Sequence, residues 1–360
     1  PSSPNASPAW TATGTVKAAR SGANIVSLAI DLPPGSYEKW WPVGYGAQPL
    51  YTFDVVYTPS AAPEAATALS RRVGIRTVEL VRDPIPVADV GGDGGETFFF
   101  KVNSVPIYAK GTNMIPIHIV ASRTTAADLV GMVKASVAAN MNMIRVWGGG
   151  LYPADAFYSA CDEAGVLVWQ EFMAACAFYP RDAPFLAAVT AEVVHQARRV
   201  GHHASLALWG GNNELEPAFT WFEEARAEPR PWAVDYHVLF VETVRAALLA
   251  ATAGGAPFID ASPTNGVISE DPYVKRWGDS GSPFAGDVHY YNYSADPLDP
   301  ATYPAARFVS EFGFQSFPSA DVAAGAVGAA DRADRGGPMW AWRQRHEGGN
   351  GEMEAQVGRT

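Results

Sequence analysis

Residues 206–217 read LALWGGNNELEP. An apolar run, of the kind that forms a strand buried on both faces, breaks at Gly210-Gly211 and delivers Asn212, Asn213 and Glu214 just past its end. A second stretch, RFVSEFGFQSFPS at 307–319, does the same with Glu311. Outward from these two, further strand-like runs stand at 107–110, 143–147, 166–172, 258–260 and 287–290. Helix-patterned stretches at 126–139, 154–164, 184–200 and 232–253 lie between several of them. Strand–helix alternation with buried-type strands predicts a parallel sheet, and the length favours a (β/α)8 TIM barrel over an open sheet. Seven strands can be counted. The tail after Gly325 is rich in Gly and Ala, then polar, and supplies no eighth.

Upstream the pattern is different. Runs at 10–16, 25–32, 50–58 and 73–82 are short, β-branched or alternating, and punctuated by Pro and Gly, which predicts an immunoglobulin-like β-sandwich over 1–84. Residues 85–104 read as a glycine-rich linker (Gly91, Gly92, Gly94, Gly95) leading into a hairpin turned at Asn103-Ser104. The expected organisation is therefore a multi-domain chain: sandwich 1–84, linker and hairpin 85–104, and an incomplete catalytic barrel over 105–360. The chain starts without Met and reads as a piece of a longer protein.

Composition excludes several classes. With 360 residues, 48% hydrophobic and 18% charged, the chain suits a large buried core rather than disorder. A net charge of −11 without a basic stripe argues against nucleic acid as a partner. No run approaches the roughly 20 apolar residues of a membrane span. Cys161 and Cys176 sit in helical and Ala-rich apolar contexts and read as small core residues. His202-His203 has no ligand at metal spacing, HEGG at 346–349 lacks a second His, and GGDGG at 91–95 has no helix after it. No metal and no cofactor are expected.

In such a barrel the active site lies at the C-terminal ends of the strands. Glycoside hydrolysis needs two carboxyl groups flanking one bond, one to protonate the leaving oxygen and one to attack the anomeric carbon. Glu214 ends the fourth counted strand and Glu311 the seventh. Proximity of two carboxyls predicts that Glu214 rests protonated and Glu311 ionised. Glu171 either binds a substrate hydroxyl or pairs with Arg145, and pairing is favoured. Arg145, an interior cation that must be paired, could neutralise a buried carboxylate and hold the attacking carboxylate ionised. His289 is a strand-end site candidate that reads equally well as a hydrogen-bonded core histidine.

The Asn-Glu strand end and the later Ser-Glu-Phe-Gly strand resemble clan A glycoside hydrolases, which carry acid/base and nucleophile on the fourth and seventh strands. The strings WWPVGYGAQPLY (40–51), NMIRVWGGGLY (142–152), CDEAGVLVWQEFM (161–173), LALWGGNNE (206–214), SPTNG (262–266), GDVHYYNY (286–293) and SEFGFQSFPS (310–319) narrow the resemblance to the β-mannosidases of glycoside hydrolase family two. The likeness runs from about Trp40 to Asn350. It implies Glu214 as acid/base, Glu311 as nucleophile, Asn213 on the sugar 2-hydroxyl and Trp147 as an aromatic wall of the terminal-sugar subsite. Asn113, Trp209 and Tyr290 stand at matching strand ends as further substrate-binding candidates. The implied activity is retaining hydrolysis of terminal β-mannose from a β-mannoside or oligosaccharide. Another family-two β-glycosidase (galactosidase, glucuronidase or glucosaminidase) and an inactive sugar-binding piece are the alternatives. Implied locations are lysosomal in a eukaryote and cytoplasmic or periplasmic in a bacterium. The chain departs from the family at Met114, where Trp is usual, at Glu171, where Asp is usual, and at Ala204, in place of the Pro of a usual His-Pro-Ser.

Overall fold

The computed structural model describes residues 10–16, 26–91, 94–334 and 336–359. Its centre is a run of parallel strands joined by helices. Gly111–Met114, Met143–Val146, Leu167–Glu171, Leu206–Gly210 and Phe258–Ile259 lie side by side in that order, each parallel to its neighbour. Val288–Tyr290 and Val309–Phe312 form a further parallel pair. These seven are called the first to seventh strands below. The antiparallel hairpin Val267–Glu270 with Tyr273–Lys275 is inserted between the fifth and the sixth.

The strands read as apolar runs because both faces are covered, the condition that parallel sheets require. Ile144, Val146, Val168 and Trp209 turn outward onto the helices Ala126–Ala138, Asp155–Ala164 and Ala183–Val200. Met143, Leu167, Trp169 and Leu208 turn the other way and meet Trp40, Phe98 and Phe100. Those two phenylalanines belong to a small sheet, Val78–Val81, Phe99–Val102 and Val105–Ile107, that plugs the inner face at its N-terminal end. The helices are started by local chemistry. Thr125 and Asp128 form a capping box, and the Asp182 side chain accepts from Phe185 N–H.

Two expectations are corrected. The first strand is Gly111–Met114 rather than 107–110, because the apolar run before it belongs to the hairpin turned at Asn103 (φ 52°) and Ser104 (φ 69°). No two-sheet sandwich forms among the described residues of 1–84. Residues 10–16 and 26–32 carry no strand, and Tyr51–Tyr57 pairs only with Thr67–Val73. That hairpin is exposed along almost its whole length, and its apolar residues Phe53, Val55, Tyr57 and Leu69 are left uncovered by any second sheet among the described residues. The remaining strand residue (Ile25) and linker glycine (Gly92) lie outside the described residues. No helix among the described residues is long and apolar enough to cross a membrane.

Past the strand ends, side chains and bridges continue the pairing. Asn213 bridges Ser262 in parallel, and Thr264 bridges Asp287 in antiparallel. Asn113 Nδ2 donates to Ser310 O at 3.0 Å, linking the first strand to the seventh. Below that link a cleft of about 780 Å³ runs between those two strands, reaching Arg145 and Trp169 from Lys110, Tyr303 and Arg307.

The inserted hairpin is held by a buried ionic knot. Lys275 pairs with Glu216 and, at 2.6 Å, with Asp260; Tyr236 and Tyr273 donate to Asp260 at 2.5 and 2.7 Å. Two carboxylates share one ammonium, and burial pushes Glu216 up to about 7. The sign follows from linkage. Between the unfolded value of about 4.3 and the folded value, the native state binds more protons than the unfolded chain. Stability from this group is therefore full in acid and lost as pH rises towards 7. Glu216→Gln is expected to flatten the fall in Tm between pH 5 and pH 8, read by circular dichroism. A variant whose Tm declines as steeply as the parent's would rule Glu216 out as the source.

Candidate active site

The site is assembled around Arg145. The second strand carries it on the inner face, 3% exposed, where an unpaired cation would be prohibitively costly. Its guanidinium donates in four directions: to Glu171 Oε1 (2.6 and 3.1 Å), Glu311 Oε1 (2.5 Å), Asn213 Oδ1 (2.8 Å) and Asn113 Oδ1 (2.8 Å). Burial alone would lower the Arg145 pKa, but Glu171 and Glu311 raise it above its ordinary value. Glu171 is completely buried. Its second oxygen accepts from Gly148 N–H at 2.7 Å, so both oxygens are used and none faces the mouth. Burial lifts its carboxyl above the usual range even with Arg145 alongside.

Glu311 receives two donors on separate oxygens, Arg145 on Oε1 and the Tyr291 hydroxyl on Oε2 at 2.7 Å. Burial and the Glu311 charge push the Tyr291 phenol far up, which keeps it a donor. Glu214 follows the fourth strand at φ 60°, a left-handed conformation that non-glycine residues adopt at a cost and that clusters at functional sites. It is held there by Glu214 N–H to Ser262 O (2.8 Å) and by Asn212, which accepts from Leu215 N–H and donates to Asp260 O. His289 Nδ1 lies 2.9 Å from Glu214 Oε1 and 3.5 Å from Glu311 Oε2. One ligand atom each from Glu214, His289 and Glu311 fall within 4.8 Å of one another. A divalent ion could use that spacing, but there it would occupy both carboxylates.

A relay fixes the imidazole. Ser262 and Ser310 both direct their hydroxyl protons to Asp287 Oδ2, at 2.6 and 2.5 Å. Ser262 Oγ, its proton committed, must accept from His289 Nε2 at 3.0 Å. Nδ1 therefore shares whatever proton lies between His289 and Glu214. Burial pushes the Glu214 carboxyl up, but the hydrogen bond and charge of His289, with Cys176 and Arg145 behind them, hold it below the usual carboxylate range. That direction runs against the expectation of a protonated Glu214 at rest, because a basic partner, and not only a second carboxylate, stands beside it.

Of the sequence-derived residues, the structure brings together Glu214, Glu311, Asn213, Asn113, Arg145 and His289. Trp147 follows the second strand, half-buried, with Gly149 folded against its indole; a Cβ built on Gly149 would come within 2.1 Å of the ring. Two candidates lie elsewhere. Trp209 is 1% exposed and stacked on Phe172 at 5.1 Å, facing the helices. Tyr290 donates to Thr302 O and packs on Tyr303 in the side cleft. Side chains alternate along a strand, so with His289 inward Tyr290 points out and Tyr291 returns to the site. Cys176 is no core residue: it is exposed, and its Sγ lies 3.4 Å from Glu214 Oε2.

No family model matches the chain. Curated sequences do. It is 38% identical over 346 residues to a β-mannosidase of Rattus norvegicus, covering 93% of this chain and 37% of that protein. It is 41% identical over 291 residues to a β-mannosidase of Bos taurus, covering 78% and 31%. Among solved structures, the β-D-mannosidase of Dictyoglomus thermophilum matches with a TM-score of 0.72 at 29% identity, over 89% of this chain and 37% of that one. An exo-chitosanase of Amycolatopsis orientalis matches at 0.56 and 17% identity, over 82% and 31%, a likeness of fold alone. Fold and site thus define an α/β protein with paired carboxylates at the C-terminal ends of its parallel strands. By sequence the chain belongs to the β-mannosidase family, and it spans about a third of the length of the curated relatives it matches.

Proposed function

We propose that this chain carries the catalytic centre of a retaining exo-β-mannosidase built on a (β/α)8 barrel. The observation that carries the proposal is the pairing of Glu214 and Glu311, with carboxylate oxygens within 4.8 Å of each other and different donors on each. Oxygens that close support the shorter carboxyl separation of retaining enzymes, roughly 5–5.5 Å, over the roughly 6.5–9.5 Å that leaves room for a water in inverting ones. Glu311, aimed by Arg145 and Tyr291, attacks the anomeric carbon. Glu214 delivers a proton to the leaving oxygen, drawing on the proton it shares with His289. It then takes one from the water that releases the sugar. Asn213 supplies a donor to the 2-hydroxyl, and the Trp147 ring offers an apolar wall to the sugar.

The test is a panel of 4-nitrophenyl β-glycosides. Mannosides should be turned over faster than the gluco-epimers, because a site that hydrogen-bonds the axial 2-hydroxyl rejects an isomer that leaves its donors unpaired. NMR should find β-mannose as the first-formed anomer. Preferential hydrolysis of β-galactosides, or α-mannose appearing first, would remove the substrate or the stereochemical part of the proposal respectively. Gly149→Val should displace the Trp147 indole and lower kcat/KM on aryl β-mannosides by about 100-fold, the scale of a 1 Å misplacement. Unchanged kinetics would mean that Trp147 does not line the sugar subsite.

A further inference from the structure

Cys176 makes contacts that a space-filling residue does not need. Its backbone is left-handed at φ 54°, and it is held there by Cys176 N–H to Asn213 O at 2.9 Å, while Asn213 N–H donates to Ala174 O at 2.9 Å. The direction of its thiol proton can be worked out atom by atom. Arg145 has only donors, so the Asn213 oxygen must face Arg145 Nη2 and the Asn213 amide nitrogen must face the sulfur, 3.4 Å away. The sulfur accepts there, and its own proton is free for the remaining neighbour, Glu214 Oε2 at 3.4 Å. A one-way chain of donors thus runs from Arg145 through Asn213 and Cys176 to Glu214. It ends on the oxygen that His289 does not touch.

We propose that Cys176 is a positioning residue for the acid/base: its S–H, oriented by Asn213, aims Glu214 Oε2 and favours the ionised carboxylate. This rests on the reading of Glu214 as acid/base. The charged and titratable groups facing Glu214 are His289 from the sixth strand, Glu311 from the seventh, Tyr291 just beyond the sixth, Arg145 from the second, and Cys176 itself. In the other direction, burial first and then the Glu214 charge push the Cys176 thiol up to about 12.

Two experiments separate this proposal from the activity it rests on. The first needs no turnover. Iodoacetamide labelling is followed by intact mass across pH, in the parent and in Glu214→Gln; Cys161 is buried, and Cys176→Ser identifies the labelled thiol. Glu214→Gln removes the adjacent charge and should move the labelling midpoint down by about one pH unit or more. An unmoved midpoint overturns the pairing even if the protein hydrolyses nothing. The second is the pH profile of kcat/KM on an aryl β-mannoside. Cys176→Ala deletes the donor and should raise the basic limb by about half a pH unit, the size of one modest hydrogen bond. Cys176→Ser keeps a donor and should retain the parental profile. A Ser profile shifted like that of Ala, or an Ala profile that does not move, overturns the positioning role. Absence of turnover in the parent would fail the proposed function and leave the labelling result to decide the contact.

Discussion

Replacing Glu311 with Ala is expected to abolish turnover of aryl β-mannosides, by roughly five orders of magnitude, the scale on which losing a covalent nucleophile is felt. Azide should restore a reaction. In a double displacement the nucleophile attacks the face opposite the leaving group, so a small anion seated in the vacated space gives the α-glycosyl azide. Glu214→Ala should do the converse: a glycosyl-enzyme still forms from substrates with good leaving groups, and azide then resolves it to the β-azide. Recovery of the β-azide from Glu311→Ala would reverse the two assignments. The substitution should leave the fold intact. Arg145 keeps its two bonds to Glu171 when Glu311 is truncated, so no buried cation is stranded. An unchanged Tm beside the lost activity is therefore part of the expected result.

Much of this arrangement was legible in the sequence because apolar runs ending in Gly-Gly-Asn-Asn-Glu and Ser-Glu-Phe-Gly carry both a strand and its rim residue. The helices 126–139, 154–164 and 184–200 were read to within a residue, since amphipathic periodicity is a strong local signal. What was not legible depended on facing direction or on distant partners. Trp209 and Tyr290 are strand-end aromatics of the right type in the wrong phase, and only the inward turn of His289 fixes Tyr291 as the site residue. That parity was available once His289 was chosen. Cys176 offered no such signal, because its neighbours in sequence are apolar and its partners, Asn213 and Glu214, are almost forty residues away. The Ser262–Asp287–Ser310 relay likewise joins residues from three segments, each unremarkable alone. The first strand was misplaced because 105–114 holds two short strands in immediate succession, which periodicity over so few residues cannot divide.

Arg145 offers the sharpest test of how stability and chemistry share one residue. Arg145→Met keeps much of the side chain's length and removes the charge. Glu171, with no exposure to water, then has Gly148 N–H as its one remaining donor, and Glu311 loses its closest cation. Breaking a buried pair from one side costs about 3–5 kcal/mol, because the surviving charge stays desolvated. Urea unfolding should report a loss of that size, and kcat/KM should fall by at least about 100-fold as Glu311, Asn213 and Asn113 lose their common anchor. Arg145→Lys should recover little of either, since one ammonium cannot span four acceptors lying in the directions of a guanidinium fork. The second variant separates the causes. In Arg145→Met with Glu171→Gln the stranded charge is gone, so at least half of the lost stability should return, while activity stays low because Glu311 still lacks its cation. If the double variant instead regains activity with its stability, Arg145 serves the fold and the nucleophile is set by Tyr291 alone. If Arg145→Met unfolds within 1 kcal/mol of the parent, the buried cation is not what holds these carboxylates together.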